Sequence, residues 1–231
     1  GPKPYAAAAS RRLRCYEVAP GATRREPQKK RWEKQLNHAA LDEIIRARRT
    51  IKPPMMSPDE VSEEDLRAVL ENANWAPSHG LTEPWRFKVY RGPARAKLAD
   101  ALGTLYETAL PPEEQKEGKA DKIRQMPRLA PVVILVCMER QKVEKIRELE
   151  EIEAVACAVQ NMHLTAASRG LGAFWSTPPF IYKPEMNEWL GLAPQDRCLG
   201  IFYLGHPAET EKWPKGRRRS IDDKIEFIDA P

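Results

Sequence analysis

The chain has 231 residues, of which 42% are hydrophobic and 31% are charged, and its formal net charge is +5. This length favours a single domain with a full core, and the composition is typical of a globular protein. No apolar run approaches the roughly 18 residues that a membrane-spanning helix needs, which excludes that class of protein.

The positive charge is concentrated at the start of the chain. Residues 1–36 hold ten basic and three acidic residues, a net +7, so the remainder carries about −2. This distribution argues against a nucleic-acid-binding face on the folded domain. We expect residues 1–35 to form a basic, disordered extension and residues 36–231 a single domain. Alternatives for the extension are part of a mitochondrial or plastid targeting segment, or an RNA- or membrane-binding tail, so the expected compartment is cytoplasmic or organellar.

The cysteines show no metal-binding or redox spacing. None of the four forms a CxxC pair, and three lie in apolar stretches. We therefore expect reduced, buried thiols. The four are Cys15, Cys137, Cys157 and Cys198.

The first half of the domain alternates helical and extended patterns. Helical spacing of apolar residues predicts a helix from Trp32 to Arg49. Ser62 is placed to cap a second helix, with Asp65 at its third position, and Pro77 ends it. The alternating "WRFKVY" predicts a half-buried strand with Trp85 in the core. Residues 94–106 are predicted to form a helix, and residues 107–129 either a mobile lid or short helices.

Strands and helices then alternate to the end of the chain. The apolar run 131–138 predicts a central strand, and a long helix is expected over 142–169, with Val143 and Ile146 on its apolar stripe and Gly170 as its cap. Further segments are the strand "GAFWST", the short helix "KPEMNEWLGL", the buried strand 198–205 and a strand-like "KIEFI" in the tail. This order predicts an α+β domain.

Motifs for several kinds of chemistry are absent from the sequence. No GxGxxG follows a strand, there is no P-loop, and the four histidines lack metal-ligand spacing. GxSxG is missing, and no Ser/His/Asp set is recognisable. An enzyme built from this chain would therefore take its chemistry from a cofactor.

Four segments together resemble the FMN-dependent nitroreductase superfamily. They are "ARRTIKP", "NWAPSHGLTEPWRFKVY", "RGLGAFWSTPP" and "YLGHPAE…KGRRRSIDDKI". The similarity spans about residues 38–228 and is greatest to the compact bacterial members, with the iodotyrosine-deiodinase branch as second choice. It implies a homodimer with FMN at the subunit interface. It also implies a mostly antiparallel sheet flanked by helices and extended by the partner's C-terminal strand.

The resemblance assigns the FMN phosphate to arginines. Arg48 and Arg49 match the family's Arg-Arg-Ser grip on the phosphate and ribityl chain, with Thr50 in place of the serine. Guanidinium groups suit a phosphate dianion because they bind it bidentately. The alternative is a solvated helix end. A further guanidinium is expected from the tail, from among Arg217, Arg218 and Arg219.

The resemblance also assigns residues to the flavin itself. Ser78, His79 and Glu83 match a loop that packs over the partner's flavin or ribityl chain. The alternative for Ser78 is a residue of the turn at the C-terminus of the preceding helix. Many relatives carry an amide at the position of Glu83, so its role is open; the alternative is a strand-entry residue paired with a local arginine.

A second stretch, Trp175, Ser176 and Thr177, matches the segment beside the isoalloxazine ring. There, Ser176 and Thr177 are candidates for tuning the flavin N5. The alternative is an ordinary strand end before two prolines.

The implied activity is that of an FMN-dependent NAD(P)H oxidoreductase. A nicotinamide gives hydride to flavin N5, and a nitroaromatic, quinone or similar electron-poor acceptor then takes it in a ping-pong cycle, without a dedicated catalytic acid or base. One alternative is flavin-dependent reductive dehalogenation of the deiodinase type. The other is a flavin-free interaction protein that keeps the fold.

Overall fold

The computed structural model describes residues 37–142, 145–209 and 213–229. Several sequence-based expectations lie outside these residues. They concern the basic extension with Cys15, the start of the first helix at Trp32, and Val143.

A four-stranded antiparallel sheet forms the centre of the domain, in the order β1-β2-β4-β3. Its inner strands are buried along almost their whole length, since their side chains are apolar on both faces. This confirms the prediction of a central strand at 131–138. The strands are β1 (Trp85–Arg91), β2 (Val132–Met138), β3 (Gly172–Ser176) and β4 (Arg197–Gly205).

Six α-helices accompany the sheet in the described parts of the chain, and the predicted caps explain several of their ends. The Ser62 hydroxyl accepts the Asp65 backbone N–H at 3.0 Å at the start of α2, Pro184 opens α6, and Gly170 adopts a positive φ just after α5. Among the described residues, no helix combines the length and apolar character that crossing a membrane requires. The helices are α1 (His38–Ala47), α2 (Glu63–Asn74), α3 (Ala94–Thr108), α4 (Lys119–Leu129), α5 (Glu148–Ser168) and α6 (Pro184–Leu190).

Helices cover both faces of the sheet. One cluster of buried side chains joins α2 and α5 to one face, through residues such as Leu66, Val155 and Phe202. The other joins α3, α4 and α6 to the opposite face, through residues such as Leu98 and Met186. The domain is therefore a three-layer arrangement with two cores, one on each side of the sheet.

The long helix begins later than predicted. α5 starts at Glu148, with Arg147 at its N-cap, and the Glu150 carboxylate accepts the Arg147 backbone N–H at 3.3 Å. Ile146 is buried, but it lies in the preceding loop. An apolar loop residue thus continued the helical pattern, and the prediction that Ile146 belongs to the helix was wrong.

The structure decides between the alternatives left open for residues 107–129, and it also bears on the expectations for the tail and the cysteines. Residues 107–129 form the end of α3, a single 3-10 turn at Pro112–Glu114 and α4, which matches the alternative of short helices. The tail segment "KIEFI", residues 224–228, forms no strand within this chain: Lys224 ends a 3-10 turn, and residues 225–228 have no regular structure. Its pairing with the sheet of a partner subunit stays a prediction. Cys137 and Cys198 are buried free thiols as expected, whereas Cys157 is exposed.

Candidate functional site

A backbone bridge brings two of the distant sequence segments together. Thr50 pairs with Ala173 of β3 in a parallel bridge, and the Ile51 N–H donates to the Ala173 carbonyl oxygen at 3.0 Å. The residue before Ala173 has to be glycine, because a Cβ atom at Gly172 would lie 2.6 Å from the Ile51 Cβ. The arginines that precede Thr50 are therefore fixed relative to β3, whose end carries Trp175 and Ser176.

Positive charge accumulates at the start of this segment. The pKa of Arg48 is lowered by partial burial and by the charges of Arg218 and Arg49. Among the described residues, no carboxylate forms an ion pair with any of these three arginines. A cluster of mutually repelling guanidinium groups without a counter-charge suits an anionic ligand. Arg218 is thus the tail arginine that acts on Arg48 within one chain, and the roles of Arg217 and Arg219 stay predictions.

Arg49 holds the C-terminal tail. Its Nε donates to the Pro214 carbonyl oxygen at 2.8 Å, and its Nη1 donates to the carbonyl oxygens of Arg48 and Arg46. Gly216 leaves room for the guanidinium, since a Cβ there would lie 2.2 Å from Nη2. Most Arg49 donors are thus engaged with backbone. The Arg48 guanidinium, in contrast, makes no hydrogen bond to another described residue, which leaves its donors available.

A cavity of about 660 Å³ opens beside the other end of the segment. Its volume lies within the range of small-molecule sites in proteins. Ser176 and Thr177 line it, as does Phe174, whose ring centroid is 6.0 Å from the Lys52 Nζ. The remaining lining residues belong mainly to α4, the loop before it, Pro178 and Pro179, Tyr106 of α3, and β4.

Lys52 is a lining residue that the sequence analysis missed. It lies two residues after Thr50 on an extended segment, so the two side chains share a side while Ile51 is buried on the other. This alternation is the signal that could have found it.

Trp175 points away from the cavity. Residues alternate between faces along a strand, so its ring lies opposite Phe174 and Ser176 and packs against the core formed with α2 and α5. The ring lies over Gly200, which has a φ of 144°, and a Cβ there would lie 2.2 Å from Trp175 Nε1. That indole nitrogen is buried and finds no hydrogen-bond partner among the described residues. The Trp175 side chain is therefore not part of the lining of this cavity.

The predicted flavin loop is held by its own chain. His79 Nδ1 lies 2.9 Å from Glu150 Oε2, and this hydrogen bond holds the pKa of Glu150 below its usual range. The Ser78 hydroxyl accepts the Glu83 N–H at 3.2 Å, and Glu83 adopts a positive φ of 44°. None of these three side chains lines the cavity described above. Their assignment to a flavin stays a prediction that needs the partner subunit.

The alternative that Glu83 pairs with a local arginine is wrong for its side chain. The neighbouring Arg86 donates from Nη1 to the Glu83 backbone carbonyl oxygen at 2.9 Å. Its Nε instead contacts the Glu139 carboxylate at 2.7 Å.

The arginine cluster affects the pKa of a buried histidine on α5. His163 is 8% exposed, packs edge-on against Phe202 and has no hydrogen-bond partner for Nδ1 among the described residues. Burial and the charge of Arg48 lower its pKa from 6.5 to about 4. The ring is therefore neutral at physiological pH. Within the described parts of the chain, no group of three or more His, Cys, Asp or Glu is placed to hold a metal ion.

Comparison with known proteins decides the family. The model of the nitroreductase family matches residues 45–206, from α1 to the end of β4. The chain belongs to the nitroreductase family. Its matched region contains Arg48 and Arg49, the loop with His79, and the β3 segment. The family predicted from the sequence is thereby confirmed.

Individual members of the nitroreductase family extend the similarity over most of the chain. YfhC of Bacillus subtilis, which is named as an NAD(P)H nitroreductase, is 29% identical over 189 residues, covering 81% of this chain and 94% of YfhC. Among solved structures, a nitroreductase-like protein of Bacillus cereus is 28% identical, with a TM-score of 0.72 over 85% of this chain and all of that one. A nitroreductase-type protein of Desulfovibrio desulfuricans, solved with FMN, is 26% identical, with a TM-score of 0.62 over the same shares. The predicted α+β, nitroreductase-like fold is confirmed.

Proposed function

We propose that this chain is an FMN-dependent NAD(P)H oxidoreductase that reduces nitroaromatic, quinone or similar electron-poor acceptors. The observation that carries the proposal is the unpaired cluster of Arg48, Arg49 and Arg218, joined by one short segment to a cavity lined by Ser176 and Thr177. The name of YfhC and the FMN bound to the Desulfovibrio protein support the same cofactors.

The residues fit FMN in distinct ways. Arg48, with its free donors, would bind the phosphate, together with Arg218 and the Thr50 hydroxyl. Arg49 would act mainly by holding the tail in place. Ser176 and Thr177 would lie beside the ring, with a hydroxyl or backbone N–H directed at N5.

Positioning is the main task of the protein in this reaction. When bound, FMN supplies hydride acceptance and donation at N5. The cavity walls would orient the nicotinamide and the acceptor in turn and exclude water from them. No side chain is required as a dedicated acid or base.

We propose that a second copy of the chain completes the site. The α1 side chains Leu41 and Ile45 are exposed, and so are Phe227 and Ile228 of the tail, at 79% and 82%. Uncovered apolar groups of this kind mark an interaction surface. The outer edge of β1 has no strand partner among the described residues, so the partner's tail would extend the sheet there. The loop with Ser78, His79 and Glu83 would then reach the partner's flavin, with Arg217 and Arg219 as further phosphate candidates.

Replacing Arg48 by alanine is expected to weaken FMN binding by about 10- to 100-fold, the range of a hydrogen bond to a charged group. Equilibrium dialysis of the full chain would measure it. Arg67→Ala is the matched control, because Arg67 is an exposed arginine on α2 that pairs with Glu63. Equal FMN affinity in the Arg48 variant and the wild type would contradict the phosphate assignment.

One sedimentation experiment tests the cofactor and the dimer together. We expect visible flavin absorbance to sediment with a dimer, to bleach when NAD(P)H is added without oxygen, and to return when 4-nitrobenzamide is added. Protein that stays colourless with excess FMN would contradict the proposal and support the flavin-free alternative. A monomer that holds FMN normally would contradict the shared site, and halide release from a halogenated phenol would support the dehalogenase alternative.

A further inference from the structure

The cavity carries a second set of positive charges, separate from the arginine cluster. Four lysines line it against a single carboxylate, Glu114, which leaves a formal surplus of three positive charges. Within the described ranges, none of these lysines forms an ion pair with a carboxylate. The lysines are Lys52, Lys116, Lys119 and Lys122.

Three of these lysines lie on a segment that is held firmly against α3. The Tyr106 hydroxyl accepts the Lys116 backbone N–H at 2.7 Å. Gln115 Nε2 donates to the carbonyl oxygens of Glu107 and Leu110, at 2.9 and 2.8 Å. Arg124 of α4 binds both carboxylate oxygens of Glu107. The backbone that carries the lysines is therefore an ordered wall of the cavity.

Apolar side chains form much of the remaining surface. Phe174, Ile123 and Met126 line the same space as the lysines. Apolar walls exclude water, and the attraction between opposite charges is stronger where water is excluded. A flat aromatic molecule with a negative substituent would therefore satisfy both parts of the lining, its ring on the apolar side chains and its charge on the lysines.

The phosphate of FMN does not account for these lysines. Under the proposed function it is bound by Arg48 at the opposite end of the segment from Lys52. The flavin ring is neutral when oxidised and carries at most one negative charge when reduced, which offsets no more than one of the four lysines. We propose that the lysine wall, defined as Lys116, Lys119 and Lys122, binds an anionic group of the molecule that reacts at the flavin. That group is a carboxylate, sulfonate or phosphate on an aromatic acceptor, or the 2′-phosphate of NADPH. This proposal rests on the proposed function for the reaction, and on the cavity alone for binding.

The first experiment tests whether the lysine wall binds an anionic group on the acceptor. Calorimetry would measure the affinity of the full FMN-loaded protein for 4-nitrobenzoate and for 4-nitrobenzamide. The two molecules differ chiefly in the charge of one substituent. We expect the carboxylate to bind about fivefold more tightly, the factor of a partly screened ion pair. The Lys119→Gln/Lys122→Gln double variant should bring this ratio close to one, while Glu114→Gln should increase it. Lys97→Gln is the matched control, because Lys97 is an exposed lysine of α3 outside the cavity lining.

The second experiment tests whether the lysine wall binds the 2′-phosphate of NADPH. The same proteins would be titrated with NADPH and with NADH. A preference for NADPH that disappears in the double variant, but not in Lys97→Gln, assigns the wall to the 2′-phosphate. Loss of the carboxylate preference alone assigns it to the acceptor. Either result supports an anion-binding wall, and a double variant that changes neither ratio overturns it.

Failure of this proposal is distinguishable from failure of the proposed function. If FMN binds and 4-nitrobenzamide is reduced, but charge has no effect on binding, the lysine wall alone is wrong. If no FMN binds, the two titrations are repeated without it. A carboxylate preference that persists there would contradict the proposed function and leave the anion-binding wall in place.

Discussion

Replacing Arg140 by methionine is expected to lower the free energy of unfolding by about 3–5 kcal/mol, the range for breaking a buried ion pair. The Arg140 guanidinium contacts the Glu151 carboxylate, which is 1% exposed, and also donates to the Ile146 carbonyl oxygen at 3.1 Å. Methionine fills similar space but leaves a buried carboxylate with only the Gln141 backbone N–H, at 3.3 Å. Urea unfolding at neutral pH would measure the loss.

Two further variants serve as controls for the Arg140→Met measurement. Arg86→Met removes an arginine from an exposed pair with Glu139, so we expect a loss below about 1 kcal/mol. Combining Arg140→Met with Glu151→Met removes both charges and should restore much of the stability. Equal losses for Arg140→Met and Arg86→Met would show that burial of the Glu151 carboxylate has little energetic weight.

Acid is expected to destabilise the protein through His163. The unfolded chain takes up a proton on this residue near pH 6.5, whereas the folded pKa is about 4. The stability from the neutral buried ring is complete above pH 6.5, and it falls progressively between pH 6.5 and 4. The loss over that window is up to about 3 kcal/mol. In His163→Gln, which cannot titrate, the decline in unfolding free energy should be smaller by this amount.

Comparing each protein with itself separates titration from packing. The unfolding free energy at pH 7.5 gives the packing cost of His163→Gln, and its change down to pH 4 gives the titration. Because the charge of Arg48 contributes to the low pKa, Arg48→Ala should raise the pKa of His163 and make the decline shallower. Parallel curves for the wild type and His163→Gln would mean that His163 is not the acid-sensitive group.

Local signals in the sequence predicted several of the element boundaries. Ser62 and Pro184 start helices because a hydroxyl cap and a proline act within one turn. Ile146 misled the placement of α5, because burial depends on tertiary packing and an apolar loop residue looks like a helical one. Cys157 was expected to be buried because its neighbours in sequence are apolar. Those neighbours face the core, whereas Cys157 lies on the outer side of α5 and is exposed.

The site was harder to predict because its contacts span long distances in sequence. That Thr50 would pair with Ala173, or that Arg218 would lie near Arg48, followed from no local pattern. The partnership of His79 with Glu150 was equally hidden, since 71 residues separate them. The family resemblance identified the candidate flavin residues. The lysines of the cavity and the different contacts of Arg48 and Arg49 became visible only in the fold.

The fixed geometry of Arg49 has a consequence for how tightly a ligand can bind next to it. Its side chain and the tail at Pro214 hold each other through a 2.8 Å hydrogen bond, and Trp213 Nε1 adds a second tie to the Ala47 carbonyl oxygen at 3.2 Å. The entropy cost of ordering this region is therefore incurred when the chain folds. It does not have to be met again when a ligand binds, so it does not weaken binding. A tail cut before Trp213 would keep Arg48 and Arg49 but remove Arg218 together with both hydrogen bonds. Residence times would then shorten for two reasons, the lost charge of Arg218 and the cost of ordering Arg49 in each binding event.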